Sequence, residues 1–313
     1  MAVAEGSELG SVAASCGGIL RRRDLEAWGL SARQIRRLVT NGVLDRVHRD
    51  AYRLPGPDER PSDRYAAAVR AVTRSDPARV LTGPAALSVL GIPVFGQPAA
   101  MHGGLDGRGG SSARSLLSTV AMPPVDQRCE HQGSVVASPA RAALDTARLH
   151  SLVAGVVAAD HALRVHLCTR DDLAAVVATM AGLAGVARAR LCCSLASEHS
   201  ESPGESWSAV VLHEHGLPQP ERQQPFYDEA GFIGRTDFWW PDANLAGEFD
   251  GRVKYGRVNP SGRAPEEVLW SEKRREDRLR ATGVGVVRWT TADLRTPGPW
   301  IQRLARSTGR RIG

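Results

Sequence analysis

The chain has no run approaching the ~18 consecutive apolar residues of a membrane span. Its first ten residues, MAVAEGSELG, are broken by acids and glycines where a secretory leader needs an apolar core. The expectation is therefore a protein with no membrane partner. Cysteine is also scarce. Cys16, Cys129, Cys168, Cys192 and Cys193 are odd in number and scattered, with no CxxC and no metal-ligand spacing. That argues against a disulfide framework and a zinc centre, and for reduced thiols in a cytoplasm. The adjacent pair Cys192-Cys193 falls in an apolar helical stretch and reads as packing. His161, His166, His213 and His215 lack a ligand-like partner at helical spacing and read as surface or core residues.

What is present begins with size and charge. At 313 residues and 42% hydrophobic, the chain can build two or three domains with a proper core. A net charge of +6 and a pI of about 9.4 favour an acidic partner, though basicity alone is weak evidence.

The segment Asp237 to Lys254 gathers carboxylates onto one expected β-hairpin. FIGRTDFWW has strand composition, Pro241-Asp242-Ala243-Asn244 supplies turn residues, and LAGEFD returns as a second strand. Glu248 and Asp250, two apart, share a strand face and can both reach one ion. Such hard oxygen ligands suit Mg²⁺, or Mn²⁺ in its place. The plainer reading is a polar strand edge beside a turn. Three neighbouring features favour the chemical one. Glu205 lies in SPGESWSAVVLHEHG, a helix expected from Ser202-Pro203 to Gly216 just before the sheet. Arg252, Lys254, Lys273, Arg274 and Arg275 follow the acids, the last three in a charged helix from about Pro265 to Thr282, and could hold a phosphodiester. Charge is also segregated, with 11 acids against 2 bases in 198–250 and 15 bases against 6 acids in 252–313. Alternation places Phe238 and Trp240 in a core and leaves Trp239 and Tyr255 as candidates for stacking on bases.

The elements GESWSAVVLHEHGLPQPERQ, RTDFWWP, GEFDGRVKYGR and EKRREDRLRATGVGVVRW resemble actinobacterial proteins with a C-terminal domain related to very-short-patch-repair endonucleases, within the PD-(D/E)xK nuclease superfamily. The resemblance covers about the last third of the chain. It implies Glu205 as the helical acid, Asp237 as the central metal ligand and Glu248 as the acid of the (D/E)xK element. This chain departs from the pattern at Asp250, where the motif has lysine. Lys254 or Lys273 could supply that cation from another position, and otherwise the domain would bind DNA without cutting it.

The N-terminal segment carries the second signal. GILRRRDLEAWGLSARQIRRLVTNGVLDRVHRDAYRLPG reads as a helix from Arg22 to Trp28, a turn at Gly29-Leu30, and a second helix capped by Ser31 and closed at Asn41-Gly42. Two short strands, VLDRVH and AYRLP, follow. That is the order of a winged helix-turn-helix. Ile35, Leu38 and Val39 face inwards, leaving Ser31, Arg33, Gln34, Arg36 and Arg37 for DNA, with Arg49 in the wing. From Arg21 to Arg53 there are 9 arginines against 4 acids. The alternative is a helical protein-interaction module with a solvated basic face. The GxLxRxDL and Y-R-L-P-G elements also resemble the N-terminal domain of AbiEi-like antitoxins. That resemblance implies a DNA-binding regulator and a cognate toxin protein as partner.

The middle says least. Residues 61–95 look helical, MHGGLDGRGGSSARS reads as a surface loop, 116–137 can supply strands, and SPARAALDTARLH, VAGVVAADHAL and RDDLAAVVATMAG read as amphipathic helices. The expectation is a multidomain α/β chain. It has a winged helix-turn-helix at 1–58, a mainly helical connecting domain at 59–197, and a restriction-endonuclease-like α/β domain with a mixed sheet at 198–313. Two functions stay open. One is a DNA-binding, metal-dependent endodeoxyribonuclease using Glu205, Asp237, Glu248, Asp250, Lys254 and Lys273. The other is a transcriptional regulator or antitoxin with a catalytically degenerate nuclease-like domain. A third possibility is a purely structural adaptor that binds a toxin.

Overall fold

The computed structural model describes residues 9–13, 18–48, 50–56, 60–105, 117–251 and 265–309. They group into two compact units, one of residues 1–158 with 168–190 and the other of residues 159–167 with 191–313. Helices and sheets occur in both, so the chain is a mixed α/β protein of more than one unit.

After a helical stretch at residues 9–13, whose Leu9 and Ala13 are buried, the first unit continues with β1 (Leu20–Arg21) and α1 (Arg22–Ala27), where the Asp24 carboxylate accepts the Arg21 amide at 2.7 Å. Gly29, at φ +94°, makes the tight turn into α2 (Ala32–Thr40). Asn41 ends that helix and Gly42, at φ +71°, releases the chain from it. Only one face of α2 is apolar. Ile35 is buried there, with Leu38 and Val39 half-buried beside Leu25, Leu44 and Tyr52. β2 (Asp45–His48) and β3 (Ala51–Arg53) then form an antiparallel hairpin. The sheet order is β1-β3-β2, which leaves β2 at an edge.

The rest of this unit carries strands in 117–137, a stretch expected to supply them, and two more at 80–82 and 101–104, where helix and surface loop were expected. It contains a five-stranded sheet of order β6-β5-β4-β8-β7, made of β4 (Val80–Thr82), β5 (Met101–Gly104), β6 (Leu117–Thr119), β7 (Arg128–His131) and β8 (Ser134–Ala137). Strands of three or four residues are too short to show a period of two, and MHGG has almost no side chains with which to show it. The helices fall where expected: α3 (Pro61–Ser75), α4 (Pro84–Val89), α5 (Pro139–Leu149) and α7 (Arg170–Ala178) belong to this unit, while α6 (Leu152–Arg164) and α8 (Val186–Leu195) each begin in it and end in the second. α5 carries the fully buried Asp145. Its oxygens accept from Thr82 Oγ1, Arg141 Nε at 2.9 Å and Arg148 Nε at 2.5 Å, so the charge is matched where it is buried.

The second unit is built on α9 (Pro203–Glu214), β9 (Glu221–Asp228), β10 (Gly231–Trp240), β11 (Leu245–Asp250), α10 (Pro265–Ala281), β12 (Gly285–Thr290), α11 (Thr291–Arg295) and α12 (Pro297–Ser307). The sheet order is β12-β11-β10-β9, antiparallel except for the parallel β11–β12 pair. Alternation along β10 assigns its two faces. Phe238 and Trp240 pack with Leu212 of α9 and Trp300 of α12, while Trp239 packs with Ala246 and Leu279 of α10. Helices therefore cover both faces of a mixed sheet. The expected turn after β10 is a 3-10 turn, Pro241–Ala243, closed by Asn244 at φ +45°.

Candidate nucleic-acid interface and acidic cluster

In the first unit, Arg33 and Arg37 stand exposed on the face of α2 opposite Ile35, and Arg36 stands exposed on its flank. Among the described residues none of the three is held in an ion pair. Ser31 and Gln34 are exposed as well, but their polar atoms serve the helix start. The Ser31 amide and hydroxyl donate to Gln34 Oε1 at 2.9 and 2.6 Å, and the Gln34 amide donates to Ser31 Oγ at 3.4 Å. Of the expected contact residues this pair fixes the helix, and the three arginines project from it. Arg49 lies outside the described residues. Other basic groups of the segment are already matched, Arg22 by Glu26 at 2.7 Å and Arg53 by Asp45 at 2.7 Å.

In the second unit, two of the expected acids meet. Glu205 is buried in the first turn of α9. Its Oε1 accepts from Ser202 Oγ at 2.7 Å and its Oε2 from the Glu201 amide at 2.9 Å. Asp237 lies between two strands of the sheet. The β10–β11 register ends at Phe238↔Gly247, and beyond it Asp237 Oδ2 accepts the Phe249 amide at 2.9 Å. On the other side Gln223, at φ +56°, falls between the pairs Thr236↔Gln224 and Phe238↔Arg222. Its amide nitrogen donates to Glu205 Oε2 at 3.2 Å and to Asp237 Oδ1 at 3.4 Å. A primary amide has two hydrogens, and Gln223 offers one to each acid.

Glu248 is committed elsewhere. Arg275 NH2 donates to its Oε1 at 2.6 Å and Arg288 Nε to its Oε2 at 2.8 Å. Both arginines also contact Glu272, and Arg288 reaches Glu276 at 3.0 Å. The Glu272 hydrogen bond foremost, and Glu248 after it, raises the Arg275 pKa despite burial. Burial opposes the charge of Arg288, but Glu248 and the two other glutamates together raise its pKa. Asp250 ends β11 opposite Thr290, and Lys273 is exposed on α10. Arg252, Lys254 and Tyr255 lie outside the described residues. Among the described residues no three His, Cys, Asp or Glu side chains are grouped to hold a metal ion. Glu205 and Asp237 could offer two carboxylates to a cation, but Glu248 does not complete a three-acid set with them.

Sequence reasoning missed Gln223, Asp160 and Arg222. Asp160, buried in α6, accepts from the Ser197 amide and Ser206 Oγ, both at 2.7 Å, and burial raises its pKa. Arg222 donates to Ser200 Oγ at 2.5 Å. Burial lowers its pKa, while Asp160 and Glu205 oppose that shift. Gln223 and Arg222 sit at the end of the PERQ element, which was the available signal. Trp239 stands on the face expected, but packs edge-on against Phe226 with centroids 5.0 Å apart. Cys192 is fully buried, and burial pushes its thiol pKa well up, as a packing residue requires. Among the described residues no helix is long and apolar enough to cross a membrane.

Residues 9–55 match the family described as "Transcriptional regulator, AbiEi antitoxin". Two uncharacterised proteins of Mycobacterium tuberculosis, from strains H37Rv and CDC 1551 / Oshkosh, are each 32% identical to this chain over 179 residues. The matched region is 57% of this chain and 63% of each relative, so the chain spans less than two thirds of their length. The crystal structure of the RV2827C protein from Mycobacterium tuberculosis aligns over 70% of this chain and 86% of its own, with 15% identity and a TM-score of 0.38.

Proposed function

We propose that the chain is a DNA-binding transcriptional regulator of the antitoxin type. Its first residues form a winged helix-turn-helix, and its C-terminal nuclease-like domain serves binding rather than cleavage. The observation that carries this reading is the set of exposed Arg33, Arg36 and Arg37, without an ion pair among the described residues, on a capped helix inside the segment that matches a family of regulators. In this reading α2 enters the major groove and the β2–β3 hairpin follows the backbone. The arginines supply phosphate attraction and can read guanine edges. A cognate toxin protein is the partner that the antitoxin family suggests, and the DNA is a site the protein would repress. The test is fluorescence anisotropy of the full chain with a labelled duplex over a range of salt. Arg36→Glu with Arg37→Glu is expected to weaken binding by about tenfold or more and to flatten the salt dependence. Unchanged affinity would refute the assignment.

Metal-dependent phosphodiester hydrolysis is the second reading, favoured by the meeting of Glu205 and Asp237 at Gln223. Mg²⁺ or Mn²⁺ held by these two acids would supply Lewis acidity toward a phosphate. Against it stand the arginine pair on Glu248 and the aspartate at position 250.

A further inference from the structure

The first unit contains a cavity of about 310 Å³ between the edge strand β2, the start of α3 and the segment 98–101. Its floor is apolar, with Val47, Ala68 and Met101 all buried. Its mouth carries the exposed guanidinium groups of Arg46 and Arg64. The third charged lining residue, Asp45, is held by Arg53 at 2.7 Å, whereas Arg64 reaches it only at 3.4 Å. Tyr65 stands in the wall, shared with a second hollow of about 360 Å³. Its hydroxyl lies 3.5 Å from the Ala100 carbonyl, the outer limit of a hydrogen bond. Burial raises the phenol pKa, so it remains a neutral hydroxyl able to donate.

An apolar floor with a few convergent polar groups at the mouth is the pattern of a small-molecule site, and this volume lies at the small end of such sites. We infer that the cavity binds a small organic carboxylate with an apolar body, and that its occupancy is transmitted through the β2–β3 hairpin to DNA binding. The second half rests on the DNA-binding reading above. A planar carboxylate matches the fork of Arg64 and leaves an oxygen for Tyr65. The nearby Asp45 disfavours a dianion such as a phosphate monoester. Drawing Arg64 to the ligand loosens its contact with Asp45, which links α3 to β2. A ligand that competes with Asp45 for Arg64 would thereby interact differently with the hairpin when that contact is made and when it is lost, as coupling requires.

The test uses the full chain and saturation-transfer NMR with 3-phenylpropionate and octanoate, each beside its primary amide, and phenyl phosphate. The acids are expected to bind about tenfold tighter than their amides. Arg64→Gln should remove that preference, and Ala99→Trp at the mouth should abolish binding, with circular dichroism unchanged in both. Equal binding of acid and amide, no transfer from any acid, or acid binding indifferent to both substitutions would overturn the site. Tighter binding of phenyl phosphate would overturn the carboxylate assignment. Saturating 3-phenylpropionate should then shift affinity for a fixed duplex by about fivefold in the wild type and not in Ala99→Trp. An acid that binds but leaves duplex affinity unchanged refutes the coupling. If the protein binds no duplex with or without acid, the DNA reading fails while the NMR result still decides the site.

Discussion

A carboxylate on a sheet face can be neutralised by a metal ion or by side chains, and at Glu248 it is neutralised by two guanidinium groups. Glu248→Ala should therefore cost stability. Arg288 keeps Glu272 and Glu276 and Arg275 keeps Glu272, so the expected loss is about 1–2 kcal/mol in urea unfolding of the full chain. The loss should be the same in Mg²⁺ and in EDTA. A wild type stabilised by Mg²⁺, with that gain absent in the variant, would instead identify Glu248 as a metal ligand. The face that Glu248 shares was legible in the sequence, because alternation fixes it once the strand is recognised. Its partners were not. Arg288 lies 40 residues away on a parallel strand and Arg275 on a helix 27 residues away, and only tertiary register brings them together. The same holds for Gln223, whose left-handed backbone and double contact follow from strand pairing.

At the scale of elements, the ends were easier to read than the interiors. Ser31 and Ser202 announce helix starts by side-chain chemistry that acts over three residues, and both helices begin there. Among the strands of the first unit β4 and β5 announce nothing, since three residues such as Val80–Thr82 owe their conformation to neighbours distant in sequence. The docking of α9 onto β11 is also tertiary, and it depends on one glycine. A Cβ at Gly204 would stand 1.9 Å from Cε1 of the Phe249 ring. Helix propensity alone favours alanine by about 1 kcal/mol, so Gly204→Ala at an uncrowded site would stabilise the protein. Here overpacking should win, with net destabilisation of about 1–2 kcal/mol in chemical unfolding. Combining it with Phe249→Leu should recover part of the loss, a non-additivity that a pure backbone effect would not give. A more stable Gly204→Ala would show that the ring moves aside at no cost.

For the whole molecule, the distribution of charge bears on the proposed DNA binding. The sequence sets 11 acids against 2 bases in 198–250 and 15 bases against 6 acids in 252–313, which read as an acidic pocket edged by a basic surface. In three dimensions many of these charges meet one another. Arg275 and Arg288 hold Glu248, and Arg278 holds Asp228 at 2.5 Å. Charge matched in pairs attracts a polyanion weakly, so Arg33, Arg36 and Arg37, which have no ion pair among the described residues, are expected to contribute strongly to affinity, beside exposed bases such as Lys273. The full chain is accordingly expected to retard supercoiled plasmid equally in Mg²⁺, Mn²⁺ and EDTA without nicking it. Asp237→Ala should leave that retardation intact, because Asp237 contacts Gln223 and the Phe249 amide and lies far in sequence from α2. Nicking that requires metal and disappears in Asp237→Ala would reverse the assignment. It would mean that two carboxylates joined at one amide suffice for catalysis without the third acid and without a lysine at position 250.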